Sequence, residues 1–292
     1  MSEVDWIARP QLRDPILVCA FSGWNDAGEA ASAALTFLQE SFEAEPVASI
    51  GCEDYFDFTE TRPTIRLEGG VARVIEWPET TFHAAVIAGA EHDLVLLQSP
   101  EPQLRWRTFC RTVVEVAEAL GVKMVVSLGA LLADVPHSRA VSITGLASDE
   151  SIVDRLGFEH SNYEGPTGIV GVVHDACARV GMPSASLWAT VPHYVAAAPN
   201  PKAALALIRR FEGLASVVVE ASELEDAAEQ YERQVSAAVA SDPDVKAFVE
   251  KLEESIDAAG DEVQFPPDIP SGDAIARDFQ TFLRQTEPED DS

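Results

Sequence analysis

The sequence predicts an α/β domain whose central sheet is covered by helices on both faces, followed by a helical extension. Between Ile16 and about Phe211, short apolar runs alternate with segments of helical periodicity. The runs are continuous, which is typical of strands buried on both sides. Beyond Leu214 only helical patterns follow. We therefore predict an α/β/α domain over residues 1–214, an acidic helical hairpin over 215–265, and over 266–292 a Pro-rich segment with a short docking helix and a disordered acidic tail.

Five apolar runs are predicted as the central strands: residues 16–20, 46–50, 93–98, 124–128 and 186–191. Residues 64–77 differ, because Gly69 and Gly70 separate two segments in which apolar and polar residues alternate. This pattern predicts a β-hairpin.

Three amphipathic segments, residues 27–42, 106–120 and 167–180, are predicted as helices that face the sheet. Asp26, followed three residues later by Glu29, is typical of a cap at the start of the first helix. In the extension, Ser222 with Glu225 is predicted to form a capping box. Pro243 is predicted to begin the next helix, which folds back on its predecessor.

The composition indicates a protein that folds without disulfides or metals, with 292 residues of which 47% are hydrophobic. No stretch approaches the roughly 20 apolar residues of a membrane-spanning helix, and Glu3 and Asp5 stand where a signal peptide would be positive. We expect a cytoplasmic protein. Its cysteines, Cys19, Cys52, Cys110 and Cys177, form no Cys-x-x-Cys pair and are predicted to be buried thiols.

The charge balance is strongly acidic, with 49 acidic and 20 basic residues and a formal net charge of -29. Such a surface repels phosphate groups, so neither nucleic acid nor an anionic membrane is an expected partner. Residues 215–292 hold 21 of the acidic residues and 5 of the basic ones. This shift in composition supports the boundary near Leu214.

The segment FSGWNDAGEAA, residues 21–31, places Gly23 and Gly28 at the spacing of a phosphate-binding P-loop. A P-loop next requires Lys and then Ser or Thr, but Glu29 and Ala30 occupy those places. The dinucleotide-binding pattern Gly-x-Gly-x-x-Gly is also absent from this segment. A strand-to-helix turn with a helix cap is therefore the favoured interpretation.

Motifs for nucleophilic or metal chemistry are missing from the sequence. It contains no Gly-x-Ser-x-Gly elbow and no His-Glu-x-x-His pattern. His174 and Cys177 share one helix face as a lone pair without further ligands. We predict no catalytic residue, no metal and no cofactor.

A candidate binding cleft remains at the ends of the predicted strands, where open α/β sheets bind ligands. Gly165, Pro166 and Gly168 lead into a helix whose N-terminal N–H groups can receive an anion or a carboxylate. His137 and His193 each follow a proline. The candidate residues are Ser22, Gly23, Asn25, Asp26, Glu164, Thr167, Gly168 and His193. The alternative is that these residues are turns and caps that hold loops to the sheet.

Six segments in order along the chain carry a resemblance to a known family: FSGWNDAGEAA, DFTETRP, LGALLADVPHSR, YEGPTGIVG, LWATVPHYVAAAPNPKAALAL and DAAEQYERQV. Together they resemble the bacterial, actinobacterial-type branch of the proteasome assembly chaperone 2 (PAC2) family. The resemblance implies a three-layer α/β/α fold with a mixed, mostly parallel sheet, similar to phosphorylase and hydrolase folds, and a C-terminal helical appendage.

The resemblance also implies a function, because the eukaryotic relatives are non-catalytic chaperones that bind proteasome α subunits. Their short C-terminal docking motif, a hydrophobic residue, Tyr and any residue, has no counterpart in residues 288–292. We expect an interaction protein with protein partners, proteasome-related ones among them. Self-association is also expected, because the apolar stripes of the helical hairpin are wide, and a trimer is the first state to test. The alternative is a nucleoside-phosphorylase-like or hydrolase-like small-molecule enzyme or binder that uses the strand-end loops.

Overall fold

The computed structural model describes residues 4–69, 72–147, 165–195 and 198–259. They form ten strands: β1 (Val4–Trp6), β2 (Ile16–Ser22), β3 (Glu45–Ile50), β4 (Thr64–Glu68), β5 (Ala72–Glu76), β6 (Thr80–Ala85), β7 (Leu94–Pro100), β8 (Met124–Ala133), β9 (Ile143–Ala147) and β10 (Ser184–Pro192). They also form six α-helices: α1 (Ala30–Ser41), α2 (Trp106–Ala119), α3 (Ile169–Val180), α4 (Pro201–Ala215), α5 (Ser222–Ser241) and α6 (Pro243–Ala259). The features predicted for residues 266–292 lie outside the described residues.

Eight strands form the main sheet, in the order β1-β3-β6-β7-β2-β8-β10-β9. The central strands β7, β2, β8 and β10 run parallel to one another. Antiparallel pairings extend the sheet at both edges. The predicted α/β fold with a mixed sheet is confirmed, but its parallel part is limited to these four strands. Strands β6 and β7 are joined without a helix, and such a short connection suits antiparallel neighbours.

Two apolar cores lie on opposite faces of the sheet, because successive side chains of a strand point in opposite directions. Ile16, Val18 and Ala20 of β2 pack with the apolar sides of α1 and α4. Leu17, Cys19 and Phe21 pack with those of α2 and α3. Burying each large aliphatic side chain stabilises the fold by about 1.5–3 kcal/mol. The three-layer arrangement follows from this alternation.

One of the five predicted central strands lies elsewhere. Strand β3 is second from the edge of the sheet, between β1 and β6, and its first two residues are exposed. Its buried residues Val47, Ala48 and Ile50 belong to the same core as Tyr55 and Phe56, which follow in a loop. The apolar run therefore predicted correctly that the strand contains buried residues, but it did not predict the position of the strand in the sheet.

The start of α1 confirms the predicted cap, although in a modified form. The 3₁₀ turn Ala27–Glu29 stands between Asp26 and the helix. The Asp26 carboxylate accepts hydrogen bonds from the backbone N–H of Ala31 at 2.7 Å and of Ser32 at 3.3 Å. Glu29 makes no side-chain cap. Asp26 therefore caps the helix from a greater distance along the chain than an ordinary N-cap residue.

The capping box predicted for α5 is wrong. The residue before the helix is Ala221, whose carbonyl accepts from the Glu225 N–H at 2.8 Å. The Ser222 N–H donates to Glu220, and the Glu225 carboxylate pairs with Arg209 at 2.5 Å. The Glu225 carboxylate thus forms a long-range ion pair with Arg209 and takes no part in a capping box. By contrast, Asp242 caps α6, whose first residue is Pro243 as predicted.

The two extension helices pack against the rest of the chain. Tyr231, Val235 and Val239 of α5 are buried with Val249 of α6, against Tyr194 and Val195. Much of the apolar stripe that led us to expect pairing with a second copy is thus covered within the chain, although Phe248 of α6 is 37% exposed. Val217 and Val219, which precede α5, belong to the main core, and the division at residue 214 stays a prediction.

The predicted β-hairpin is confirmed as β4 and β5, which pair in a separate two-stranded sheet. Within the described ranges, no helix is long and apolar enough to cross a membrane. Cys19, Cys110 and Cys177 are fully buried, as predicted. Cys52 is half-buried, so the prediction of a buried thiol is wrong there.

Candidate functional site

The loop after β2 lies at the carboxyl end of the parallel strands and is bound to its neighbours through the backbone. The Ser22 carbonyl accepts from the Glu101 N–H at 2.8 Å, and the Asn25 carbonyl accepts from the Ala130 N–H at 2.9 Å. Gly23, between them, has a φ of 122°, which a residue with a Cβ rarely adopts. The loop is therefore held between the ends of β7 and β8.

Glu101 is the central polar residue of this edge, although the sequence analysis did not select it. One of its carboxylate oxygens, Oε1, accepts from the Asn25 side-chain amide at 2.9 Å. The same oxygen accepts from the backbone N–H of Ile169, the first residue of α3, at 2.8 Å. One of the N–H groups that we expected to receive an anion or a carboxylate thus binds a carboxylate of the chain itself.

Gly168 allows the close approach of α3 to the loop after β2. A Cβ atom at this position would lie 2.6 Å from both the Nδ2 and the Oδ1 atoms of Asn25. Only glycine fits such a distance without a shift of the neighbouring groups. Asn25 itself is only 2% exposed. We refer to Asn25, Glu101, Gly168 and Ile169 as the strand-end cluster.

Asp26, the neighbour of Asn25, is 5% exposed and caps α1. Burial raises the pKa of its carboxyl group, and the hydrogen bonds from Ser32 and Ala31 act against this rise. The carboxylate points to the helix start, where the N–H groups compensate its charge. It serves the structure of this turn.

Two further candidate residues, Thr167 and His193, do not join the strand-end cluster. Thr167 is exposed, and its Oγ1 covers Gly171 at the start of α3. Glu164 lies outside the described residues. The ring of His193 contacts Tyr194 and Phe248, and its Nδ1 lies 3.0 Å from Asp134 Oδ1.

His193 is held at a different level of the sheet from Asn25 and Asp26. Asp26 pairs with Ala130 of β8, whereas the His193 N–H donates to Ala133, three residues further along that strand. Three residues of a strand span about 10 Å. The structure brings Asn25 and Gly168 together and places His193 beside α6.

A second polar cluster, around His137, was not predicted. The Tyr194 hydroxyl accepts from the His137 backbone N–H at 2.8 Å and also lies 2.8 Å from His137 Nδ1, within hydrogen-bond distance. On the other side of the ring, Nε2 lies 3.0 Å from Ser236 Oγ of α5. Burial lowers the pKa of His137, in agreement with a neutral ring. The cluster fastens α5 to the loop after β8.

Two cavities of the described residues lie away from the strand-end cluster. A space of about 20 Å³ beside His137 and Tyr231 holds about one water molecule. An open groove of about 430 Å³ lies along α1, lined by residues such as Phe37, Glu40 and Leu224. Small-molecule sites usually combine a cavity of about 300–1,000 Å³ with several converging polar groups. The groove contains none of the candidate residues.

Burial favours the neutral forms of a histidine and two cysteines in the core. Burial lowers the pKa of His174, which lies 2.8 Å from Ser127 Oγ, to about 4. Burial also raises the pKa of Cys177 to about 11 and that of Cys110 to about 12. Among the described residues, no group of three His, Cys, Asp or Glu side chains is arranged to hold a metal ion.

Comparison with known proteins identifies relatives over most of the chain. The model of the PAC2 family matches residues 20–239. A PAC2 family protein from Streptomyces avermitilis is 45% identical, with a TM-score of 0.75, covering 81% of this chain and 100% of that chain. A proteasome-assembly chaperone homologue from Mycobacterium tuberculosis is 43% identical, with a TM-score of 0.74, covering 80% of this chain and 99% of that chain.

A more distant likeness concerns the fold alone. An archaeal proteasome activator from Pyrococcus furiosus has a TM-score of 0.67 at 14% identity and covers 82% of this chain and 99% of that chain. A comparison with functionally curated proteins gave no match.

Proposed function

The chain belongs to the PAC2 family, and we therefore propose that it is a non-catalytic, assembly-chaperone-like protein that acts by binding other proteins. The observation that carries the proposal is the 43% identity with a proteasome-assembly chaperone homologue over 80% of the chain. Proteasome subunits are the partners that this relationship favours. A cytoplasmic location and self-association are parts of the same proposal.

The geometry of the strand ends supports a non-catalytic role. A general base must lie within hydrogen-bond reach of the group from which it takes a proton. The Asn25 amide is bound to Glu101, and the Asp26 carboxylate is bound to the first turn of α1. Both side chains are at least 95% buried. These polar groups stabilise turns and helix starts.

The enzymatic alternative has less support. It required Asn25, Glu164 and His193 to line one cleft, but Asn25 is buried and His193 packs against α6. The polar side chains of the strand-end cluster satisfy one another, which leaves little to orient a substrate.

An assembly experiment tests the proposed function. The purified chain is mixed separately with actinobacterial proteasome α subunits, β subunits and the finished core particle, and the complexes are identified by native mass spectrometry. We expect a complex with unassembled subunits and a changed rate of core-particle formation. An unrelated soluble protein of similar isoelectric point is the control for non-specific attraction to an acidic surface, since this chain has a pI of about 4.3.

The result that contradicts the proposal is equally specific. If none of the three mixtures contains a complex, and core particles form at the same rate with and without the chain, then a proteasome-related chaperone role is wrong.

A further inference from the structure

The hairpin of β4 and β5 exposes more apolar surface than a strand pair in water normally does. Its two strands pair only with each other and not with the main sheet. Ile65 is 62% exposed, Leu67 59%, Ile75 52% and Trp77 50%. Exposed apolar patches of this kind mark interaction surfaces in soluble proteins.

The exposed apolar side chains belong to one face of the hairpin. Ile65 is paired directly with Ile75, and Leu67 with Arg73. Because side chains alternate along a strand, Ile65, Leu67, Arg73 and Ile75 share a face. Trp77, just beyond β5, continues the alternation, and we call these five residues the hairpin face. Arg66 and Glu76, which form an ion pair at 2.5 Å, lie on the other side.

A hairpin of this kind needs a covering layer. An isolated two-stranded hairpin is marginally stable in water, and a third strand or another packed element normally supports it. The support in the described structure is at its base, where the Trp77 ring meets the Phe58 ring edge-on at 4.9 Å. All five residues of β4 are exposed.

The charge of the hairpin favours a second copy of the same chain as the cover. Residues 64–77 contain two basic residues, Arg66 and Arg73, and two acidic residues, Glu68 and Glu76, so their net charge is zero. The whole chain has a formal net charge of -29. Two copies repel each other over most of their surfaces, and a neutral apolar patch is where they can approach at the lowest electrostatic cost.

The hairpin face is also complementary to itself. Arg73 lies towards the tip of the hairpin and Trp77 at its base, with Ile75 between them. When two hairpins stack in opposite directions about a twofold axis near Ile75, each guanidinium meets the exposed half of the other Trp77 ring. A cation over an aromatic face is attractive, and the aliphatic side chains meet in the middle.

We propose that the hairpin face is the self-association surface of this protein, on which the same face of a second copy packs about a twofold axis. The inference rests on the proposed function of an interaction protein. It specifies a dimeric contact, in place of the trimer expected from the sequence.

Sedimentation velocity over a range of concentrations tests the inference with two pairs of full-length variants. Leu67→Lys places a charge in the aliphatic centre twice per dimer, and we expect the dissociation constant to rise about 100-fold. Val218→Lys is the matched control, because Val218 is an apolar residue, 87% exposed, outside the hairpin. Both changes make the chain less negative by one unit, so general repulsion cannot explain a loss of association.

The second pair examines the contact of Arg73 with Trp77. Arg73→Glu removes the cation from the tip, whereas Arg233→Glu makes the same change in net charge on α5, where Arg233 is 68% exposed. We expect Arg73→Glu to weaken the dimer at least about tenfold more than Arg233→Glu does. Equal effects of the two variants overturn the twofold arrangement.

Cross-linking provides an independent measurement. In a Cys52→Ser background, the remaining native cysteines are fully buried, so Ile75→Cys supplies the accessible thiol nearest the proposed axis. A short bismaleimide should join two such chains, and it should leave the Val218→Cys control monomeric.

Three outcomes overturn the inference: a monomeric wild type at every concentration, self-association that hairpin substitutions do not change, and no cross-link through position 75. The first result means that the hairpin face is open or covered by the same chain, and the second that another surface is used. Circular dichroism identifies any variant that fails to fold. Complexes with proteasome subunits are measured separately, so failure of this inference leaves the proposed function standing.

Discussion

Glu101 connects two segments that are far apart in the sequence. Its carboxylate binds Asn25, 76 residues earlier, and the N–H of Ile169, 68 residues later. Because the Asn25 side chain is 2% exposed, its amide has little access to water as a replacement partner. One carboxylate therefore links the loop after β2 to the first residue of α3.

Removal of this carboxylate is expected to destabilise the fold. Glu101→Ala leaves the Asn25 amide and the Ile169 N–H without their acceptor, and we expect the free energy of unfolding to fall by about 1–3 kcal/mol. Glu101→Gln keeps an oxygen at the same place and should cost less than about 1 kcal/mol. Urea unfolding followed by circular dichroism measures both. Equal losses in the two variants would show that the acceptor oxygen is not the important feature.

At the scale of elements, α5 and α6 are attached to the α/β domain through the loop after β8. The chain of hydrogen bonds from Tyr194 through His137 to Ser236 joins β10, this loop and α5. Lys202 of α4 pairs with Glu232 of α5 at 2.5 Å, and Arg139 pairs with Asp257 of α6 at 2.7 Å. The exposed Arg139 pair adds little energy, whereas the Lys202 side chain is only 18% exposed. The histidine chain and the Lys202 pair are therefore the main polar part of the attachment.

Tyr194→Phe tests that attachment. The change removes the hydroxyl that accepts from the His137 backbone N–H and forms a hydrogen bond with Nδ1, and it keeps the aromatic ring. We expect local opening of α5 to become about 5–150-fold more frequent, which corresponds to about 1–3 kcal/mol. Hydrogen exchange with mass spectrometry reads this out, with α2 on the opposite face of the sheet as the internal control. Unchanged exchange in α5 would mean that apolar packing alone holds the helix.

At the scale of the whole molecule, charge is the dominant property. A net charge of -29 creates repulsion within the folded chain and between copies. Salt shortens the range of this repulsion, from about 30 Å at 0.01 M to about 10 Å at 0.1 M. The fold therefore depends on apolar cores strong enough to hold an acidic surface together.

Salt is expected to stabilise both the fold and its self-association. Raising NaCl over this range should increase the midpoint of thermal unfolding by about 2–4 °C, equivalent to about 1 kcal/mol, and should tighten the proposed dimer. KCl should have the same effect, because the cause is ionic strength. Scanning calorimetry and sedimentation measure the two responses. A lower midpoint in salt would show that attractive ion pairs outweigh the repulsion.

Much of the fold was predictable because a strand that is buried on both faces is a continuous apolar run in the sequence. Four of the five predicted central strands occupy the parallel centre of the sheet, as β2, β7, β8 and β10. Strands β1, β6 and β9 were missed. All three contain residues that are not fully buried, and the continuous apolar runs used to find strands are weaker there.

The candidate site was less predictable. Asn25 and Gly168, both selected from the sequence, lie against each other in the structure, whereas Glu101 was missed although it directly follows β7. The signal that could have found it was the position used for the other candidates, immediately after a predicted strand. The partners of its carboxylate, Asn25 and the Ile169 N–H, could not be predicted, because neither is close to Glu101 in sequence.

The amino-acid sequence alone determined the layered architecture, the helical extension, the hairpin and the family, because periodicity, composition and ordered motifs are local properties of a chain. Only the tertiary structure decided which polar groups satisfy one another, which apolar stripes are covered within the chain and which face of the hairpin stays exposed. Hydrogen bonds and burial depend on distances between segments that the fold brings together, and no local pattern encodes those distances.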